Sequence, residues 1–190
     1  MPAPTHFHQE LANLRINVLE MAAHAEKALE KATTALLTRD AELAQDVINH
    51  DELINELECV IDEKSLRMLA LEQPVAKDLR FIVGCMRTIV NLERIGDEAV
   101  NIAERALILS HRPALPFNHI LEELSNLCLE MLRSSINAFK EEDPEMAQKV
   151  CLPALLQQLN FTSRSGMLRP ACGVMTGACL KRSTASSPTT

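Results

Sequence analysis

The chain has 190 residues, enough for one domain or for two small repeats that share a core. Hydrophobic residues make up 47 % and aromatic residues 3 %, so leucine and alanine dominate and helices are favoured over sheet. The net charge of −7 argues against a nucleic-acid-binding surface, and the lack of a long apolar run argues against a membrane span.

Neither a secretion signal nor a disulfide framework is predicted. The first ten residues lack a basic and apolar signal pattern, so we expect a cytoplasmic protein. The six cysteines form no Cys-x-x-Cys pair, and three of them fall within helical patterns. We therefore interpret these three as small core residues and expect neither disulfides nor a zinc site.

Regular apolar spacing predicts a long first helix from about Thr5 to Thr38. The apolar residues step by four and three alternately, which is typical of a helix packed nearly parallel or antiparallel to others. They are Phe7, Leu11, Leu14, Val18, Met21, Ala25, Ala28, Ala32 and Ala35. The later positions are alanines, so neighbouring helices can approach closely there. His6 and His8 could bind a metal only loosely, and we expect no role for them.

A second helix is predicted from about Ala41 to Glu72, with Asp40 as its N-cap. Its apolar register is interrupted at His50, which we interpret as a partly exposed packing residue. Asp51 and Asn55 follow, four residues apart and therefore on one face of the helix.

The dipeptide Gln73-Pro74 ends the second helix, because proline disfavours helix in the preceding residue and is tolerated in a first helical turn. A third helix is predicted from about Val75 to Ser110. It carries two adjacent apolar stripes, and so wide an apolar face indicates contact with two partners. Four arginines lie on the remaining strip: Arg80, Arg87, Arg94 and Arg105.

A proline-containing connector at 111–117 precedes a fourth amphipathic helix, predicted from about Asn118 to Lys140. The segment Asp40–Val47 resembles the segment Asp143–Val150, with an offset of 103 residues and an aspartate cap in both. This internal repeat predicts two copies of a three-helix unit.

The predicted fold is all-α: a long antiparallel helical bundle with one complete three-helix unit and the start of a second. The first unit covers residues 1–112, and the second begins within 113–150. Residues 151–190 hold none of the 26 acidic residues and three of the five glycines. We predict that this tail is disordered or aberrant.

Two pairs of oxygen-bearing side chains are predicted to meet across the hairpin that bends at Pro74. Asp51 and Asp97 lie 23 residues before and after this proline, and Asn55 and Glu93 lie 19 residues before and after it. Both arms rise about 1.5 Å per residue, so each pair lies at matching height on antiparallel neighbours.

Converging carboxylates predict a metal site at Asp51, Asn55, Glu93 and Asp97. An all-oxygen set suits Mg, Mn, Ca or iron, and without a cation the repulsion would raise at least one pKa. The alternative is a solvated acidic face. Gly96 indicates a close approach by another element, because glycine costs about 1 kcal/mol in a helix interior. Catalysis is less supported, since Glu-x-x-His, glycine-rich phosphate loops and Gly-x-Ser-x-Gly are all missing from the sequence.

Three motifs resemble those of the PhoU family of phosphate-uptake regulators, over about residues 5–150. They are Gln73-Pro-Val-Ala-Lys-Asp-Leu-Arg80, Leu92-Glu-Arg-Ile-Gly-Asp97 and Asn101-Ile-Ala-Glu104. The resemblance implies an all-α fold of two three-helix repeats, each with an acidic motif pair that binds metal ions (iron, Mg, Mn or Zn). By similarity, Glu93 and Asp97 match the third-helix motif, and Asp51 and Asn55 match its second-helix partner.

The resemblance also implies a regulatory, non-enzymatic role in the cytoplasm, often as a homodimer. Members of the family repress the phosphate regulon and restrain phosphate import through contacts with the phosphate-specific ABC transporter and its sensor histidine kinase. From the sequence itself, Asp78, Arg80 and Arg94 are candidate protein-contact residues, and Arg80 could instead form a surface ion pair or contact an anion. Two alternatives stay open: a carboxylate-bridged metalloenzyme and a degenerate, inactive family member.

The chain departs from the family pattern after Val150, where no second acidic motif pair follows. We hypothesise that residues from about Cys151 onward are an out-of-frame or otherwise aberrant end. Part of the core would then be missing, and two consequences stay open: a marginally stable chain, or association that covers exposed apolar faces.

Overall fold

The computed structural model describes residues 6–113 and 119–150, and within these ranges the regular secondary structure is α-helix, with no strand. The helices are α1 (His6–Thr38), α2 (Ala41–Asn49), α3 (Glu52–Leu71), α4 (Ala76–Ser110) and α5 (His119–Lys140). Residues 144–150 are also helical. The predicted all-α class is confirmed. No helix in the described ranges is both long and apolar enough to cross a bilayer.

The chain forms two compact units, Met1–Leu129 and Glu130–Thr190. In the first unit, α1 and α4 pack against each other, and each also packs against α2 and α3. The second unit contains the end of α5, a turn and the helical residues 144–150. Most of the predicted connector and the whole predicted tail lie outside the described residues, and the predicted segment boundaries at 112 and 150 stay predictions.

The prediction of one helix from Ala41 to Glu72 is wrong, because the helix breaks at His50 and Asp51. The His50 ring donates from Nδ1 to the backbone oxygen of Asp46, at 2.7 Å. An uninterrupted helix would use that oxygen for the backbone N–H of His50. This N–H bonds instead to the backbone oxygen of Val47 at 3.2 Å, and the tighter turn ends α2.

The core of the first unit changes in character along its length. Large apolar side chains of α1 and α4 fill one part and are almost completely buried: Leu14, Val18, Met21, Ile82, Ile89 and Leu92. Small residues fill the part around the end of α1: Ala32, Ala35, Ala44, Val47, Ala99, Ala103 and Ala106. The prediction that alanines permit close packing at the end of the first helix is confirmed.

The connection between α1 and α2 recurs after α5, as the internal repeat predicts. Asp40 and Asp143 each accept bonds from the backbone N–H groups two and three residues later, at 2.8–3.1 Å. The preceding residues, Arg39 and Glu142, both have positive φ angles, of 61° and 52°. Each aspartate N–H also bonds to the backbone oxygen of the alanine five residues earlier, at 3.0 Å. The repeat is therefore structural and not only a similarity of letters.

Arg39 also holds the end of α4. Its guanidinium group donates to the backbone oxygens of Leu109 and Arg112. The Leu109 oxygen also accepts the backbone N–H of Arg112 at 3.1 Å, so the arginine joins the α1–α2 connection to an already bonded turn at the end of α4.

Gly96 marks a close approach of α3 to α4. A Cβ atom at this position would lie 2.9 Å from Cδ1 and 3.4 Å from Cγ2 of Ile54. Contacts this short require a neighbour to shift, and Ile54 is buried. The prediction of a close approach at Gly96 is confirmed.

Alanine substitutions at the two glycines of α4 test this packing. Gly84→Ala meets no heavy atom within 4 Å, so it should stabilise the protein by about 1 kcal/mol through helix propensity. Gly96→Ala gains the same propensity but overpacks against Ile54, which typically costs about 1–3 kcal/mol. We expect thermal unfolding to place Tm of Gly84→Ala above that of the wild type, and Gly96→Ala at or below the wild type. Equal gains for the two variants would contradict the close contact.

Candidate functional site

The break between α2 and α3 leaves the carboxylate of Asp51 facing α4. Asp40 caps α2 with its side chain, whereas Asp51, which precedes α3, makes no side-chain capping bond. Asp51 Oδ1 lies 3.6 Å from the position that a Cβ at Gly96 would take. Asp51 is therefore packed against α4 beside the residue that precedes Asp97, in agreement with the predicted register.

Asn55 lies on the same face of α3, one turn after Asp51. Its Nδ2 donates to Asp51 Oδ2 at 3.3 Å. Glu58 lies seven residues after Asp51, or about two helical turns, and continues this face. Sequence reasoning missed Glu58, although its spacing from Asp51 and Asn55 was a signal that could have identified it.

Glu93 on α4 is the carboxyl most affected by this arrangement. Burial raises the pKa of Glu93 above its usual value, and the charges of Asp97 and Glu58 raise it further. A hydrogen bond with Asp97 and the charge of Asp51 act in the same direction. Negative groups on both helices therefore act on one carboxyl, which is the electrostatic effect expected of converging carboxylates.

We call Asp51, Asn55, Glu58, Glu93 and Asp97 the acidic face. Its donors are carboxylate and amide oxygens, which fit a hard cation better than a soft one. Within residues 6–113 and 119–150, no three His, Cys, Asp or Glu side chains converge closely enough to hold a metal ion. Metal binding at Asp51, Asn55, Glu93 and Asp97 therefore stays a prediction.

The candidate contact residues are not gathered at one place. Asp78 is half-buried in the first turn of α4, and Arg80 is exposed beside it. Arg94 is also exposed, next to Glu93. Fourteen residues separate the two arginines, or about 21 Å along the helix axis. Arg94 therefore belongs to the surroundings of the acidic face, whereas Asp78 and Arg80 belong to the α3–α4 turn.

Comparison with known proteins gives consistent matches over most of the described chain. A family model described as the PhoU domain matches residues 18–106. The phosphate-specific transport system accessory protein PhoU homolog of Aquifex aeolicus (strain VF5) is 41 % identical over 142 residues, which are 75 % of this chain and 64 % of that protein. The phosphate-specific transport system accessory protein PhoU of Escherichia coli (strain K12) is 36 % identical over 144 residues, 76 % of this chain and 60 % of that protein.

A solved structure matches the fold as well. The crystal structure of PhoU from Pseudomonas aeruginosa superimposes with a TM-score of 0.72 and 31 % sequence identity, and the match covers 85 % of this chain and 82 % of that chain. The chain spans less than two thirds of the length of the two curated relatives described above.

The raised pKa of Glu93 predicts a pH-dependent effect of Glu93→Gln. The folded state holds this proton more tightly than the unfolded chain, so ionisation of Glu93 costs stability as pH rises above about 4.3, the ordinary glutamate pKa. In metal-free buffer at pH 7, Glu93→Gln should therefore raise Tm by about 1–3 °C. The difference should shrink as pH falls towards 4.

Thermal unfolding monitored by circular dichroism at both pH values measures this effect. Glu104→Gln, at an exposed position on the same helix, is the matched control and should leave Tm almost unchanged. A wild type that is more stable than Glu93→Gln at pH 7 would show that the ionised carboxyl is not under repulsion.

Proposed function

Because this chain belongs to the PhoU family, we propose that it is a negative regulator of phosphate uptake and of phosphate-starvation signalling, and not an enzyme. The relatives that it matches are named as accessory proteins of the phosphate-specific transport system. The observation that carries the proposal is the acidic face, which lies in the same α3–α4 hairpin as the motifs that resemble the family. Regulation would take place in the cytoplasm through contacts with other proteins.

The partners that we propose are the phosphate-specific ABC transporter and its sensor histidine kinase. Arg80 and Arg94 are exposed on α4 and could pair with acidic groups of a partner. Asp78 lies in the first turn of the same helix, one turn after Val75. Salt bridges at exposed positions contribute up to about 1 kcal/mol each. These side chains would therefore contribute more to the choice and orientation of the partner than to the strength of binding.

Asp51, Asn55, Glu93 and Asp97 are the residues that would hold a metal ion, of which iron, Mg, Mn and Zn are the candidates. When bound, the cation would supply positive charge that offsets the repulsion at Glu93. The chain's own contribution is the contact of α3 with α4 at Gly96, which places Asp51 Oδ1 beside α4. Metal binding would therefore make this part of the hairpin more rigid and less acidic.

Self-association is a further part of the proposal. Exposed apolar side chains are grouped at the turn between α3 and α4, where Leu71 and Val75 are 67 % and 73 % exposed and Leu79 is 41 % exposed. Exposed apolar groups of this kind are typical of protein contact surfaces. A homo-oligomer that covers them would be consistent with the regulatory role.

Metal binding can be tested with Asp97→Ala. Removing one carboxylate from the acidic face should weaken Mn²⁺ binding at least tenfold in a calorimetric titration, since the ligands act together. Glu20→Ala, at an exposed glutamate of α1, is the control and should bind Mn²⁺ like the wild type. Equal uptake by Asp97→Ala and the wild type would remove the metal site from the proposal.

Partner binding can be tested with Arg80→Glu. Detergent-solubilised phosphate-specific transporter and the cytoplasmic part of the sensor kinase should each retain the wild-type chain in a pull-down. Arg80→Glu should reduce retention severalfold by reversing a contact charge. Arg105→Glu, at another exposed arginine of α4, should have little effect. If neither partner retains the wild-type chain, the proposed function is wrong.

A further inference from the structure

A small pocket opens within the first unit, between α1, α2, the beginning of α3 and α4. Its volume is about 150 Å³. Its charged and titratable lining is His24, Lys27, Lys31, Asp46, His50 and Asp51. His24, Lys27 and Lys31 follow one another at intervals of three and four residues and so share one face of α1. The pocket is thus lined by basic groups on one helix and is separate from the four predicted metal-binding residues except at Asp51.

One of the two carboxylates in this pocket is already paired. Lys31 Nζ forms an ion pair with Asp46 Oδ2, and His50 Nδ1 lies 3.2 Å from Asp46 Oδ1. The hydrogen bond from Lys31 holds the pKa of Asp46 below its usual value, and the charges of Lys31, His50 and Lys27 act in the same direction. The negative charge of Asp46 in the pocket lining is therefore balanced by Lys31.

Several donors of the pocket are still available. In the described part of the chain, His24 and Lys27 make no hydrogen bond, and Lys27 acts on Asp46 only through its charge. The first turn of α3 also borders the pocket through Leu53 and Ile54. Because Asp51 makes no capping bond, the backbone N–H of Leu53 is not satisfied by that side chain. An ammonium group and an imidazole therefore border one small space.

We propose that this pocket binds a small tetrahedral oxyanion, namely inorganic phosphate. A lysine ammonium group and an imidazole N–H are donors from which phosphate oxygens accept strong hydrogen bonds. Pockets for drug-sized ligands have volumes of about 300–1,000 Å³, so this pocket is suited to an ion and not to a nucleotide. That the oxyanion is phosphate rests on the proposed function, whereas the binding of an oxyanion rests on the pocket itself.

Asp51 gives the pocket a link to the acidic face. The same carboxylate lines the pocket and lies beside Gly96 on α4. A bound anion would add negative charge next to Asp51, so its binding and the charge state of the acidic face would influence each other reciprocally. The pocket would in this way let the chain respond directly to phosphate.

Calorimetric titration of the full chain with inorganic phosphate, in phosphate-free buffer, tests the proposal. The wild type should bind, Lys27→Ala should bind at least fivefold more weakly, and Lys27→Ala/His24→Gln more weakly still. Lys77→Ala removes an exposed lysine from the first turn of α4 and should bind like the wild type. Circular dichroism confirms that each variant is folded.

Three outcomes would overturn the pocket assignment. The first is no binding by the wild type at about 10 mM phosphate, which corresponds to less than about 3 kcal/mol of binding free energy. The second is equal phosphate affinity of Lys27→Ala and the wild type. The third is a loss of phosphate affinity in Lys77→Ala as large as that in Lys27→Ala. AMP serves as the probe for a larger phosphorylated ligand, and tighter binding of AMP than of phosphate would also overturn the assignment to the free ion.

The pull-down with Arg80→Glu separates this proposal from the proposed function. Retention by the transporter without phosphate binding would leave the regulatory role intact and remove the pocket. Phosphate binding without retention by either partner would support the pocket and contradict the regulatory role.

Discussion

The contact between Ile54 and Gly96 is the constraint on which the acidic face depends. Because glycine has no Cβ, the Ile54 side chain can lie where a Cβ at position 96 would come within 2.9 Å of it. This contact sets the position of α3 along α4. It lies close to Asp51, which directly precedes α3, and to Asp97, which directly follows Gly96. A wider separation of the helices would reduce the repulsion that contributes to the raised pKa of Glu93. The packing of α3 against α4 therefore determines how strongly the carboxylates of the two helices repel one another.

The bundle tolerates this repulsion because the other faces of the same helices are anchored in the core. Ile61, Leu92 and Ala99 are at most 2 % exposed, and complete burial of a large apolar side chain contributes about 1.5–3 kcal/mol. Like charges one helical turn apart cost only about 0.2–0.5 kcal/mol per pair. A few buried residues on α3 and α4 therefore outweigh the cost of several carboxylates on the exposed side.

Sequence spacing predicted the features that depend on regular periodicity. The bounds of α1, α4 and α5 were predicted to within one residue, and the register that brings Asp51 to α4 followed from counting residues on both sides of Pro74. The break at His50 was not predicted in this way: the apolar register is interrupted there, but one polar residue in the register does not show that its ring bonds to the backbone oxygen that the helix would use. The bonds from Arg39 to the end of α4 join positions 70 and 73 residues apart and have no local pattern.

The break that sequence reasoning missed lies directly before α3, at Asp51, whose own backbone angles are helical (φ −64°, ψ −33°). In a continuous helix the backbone around residue 51 would bond along the helix axis, and the beginning of α3 would have no free N–H groups. Asp51 lines the pocket together with His24, Lys27 and Lys31 of α1, and its Oδ1 also lies beside Gly96 of α4. One carboxylate therefore lies near both the basic side chains of α1 and the α4 helix. The carboxylate at this irregular point of the backbone is therefore shared by the pocket and the acidic face.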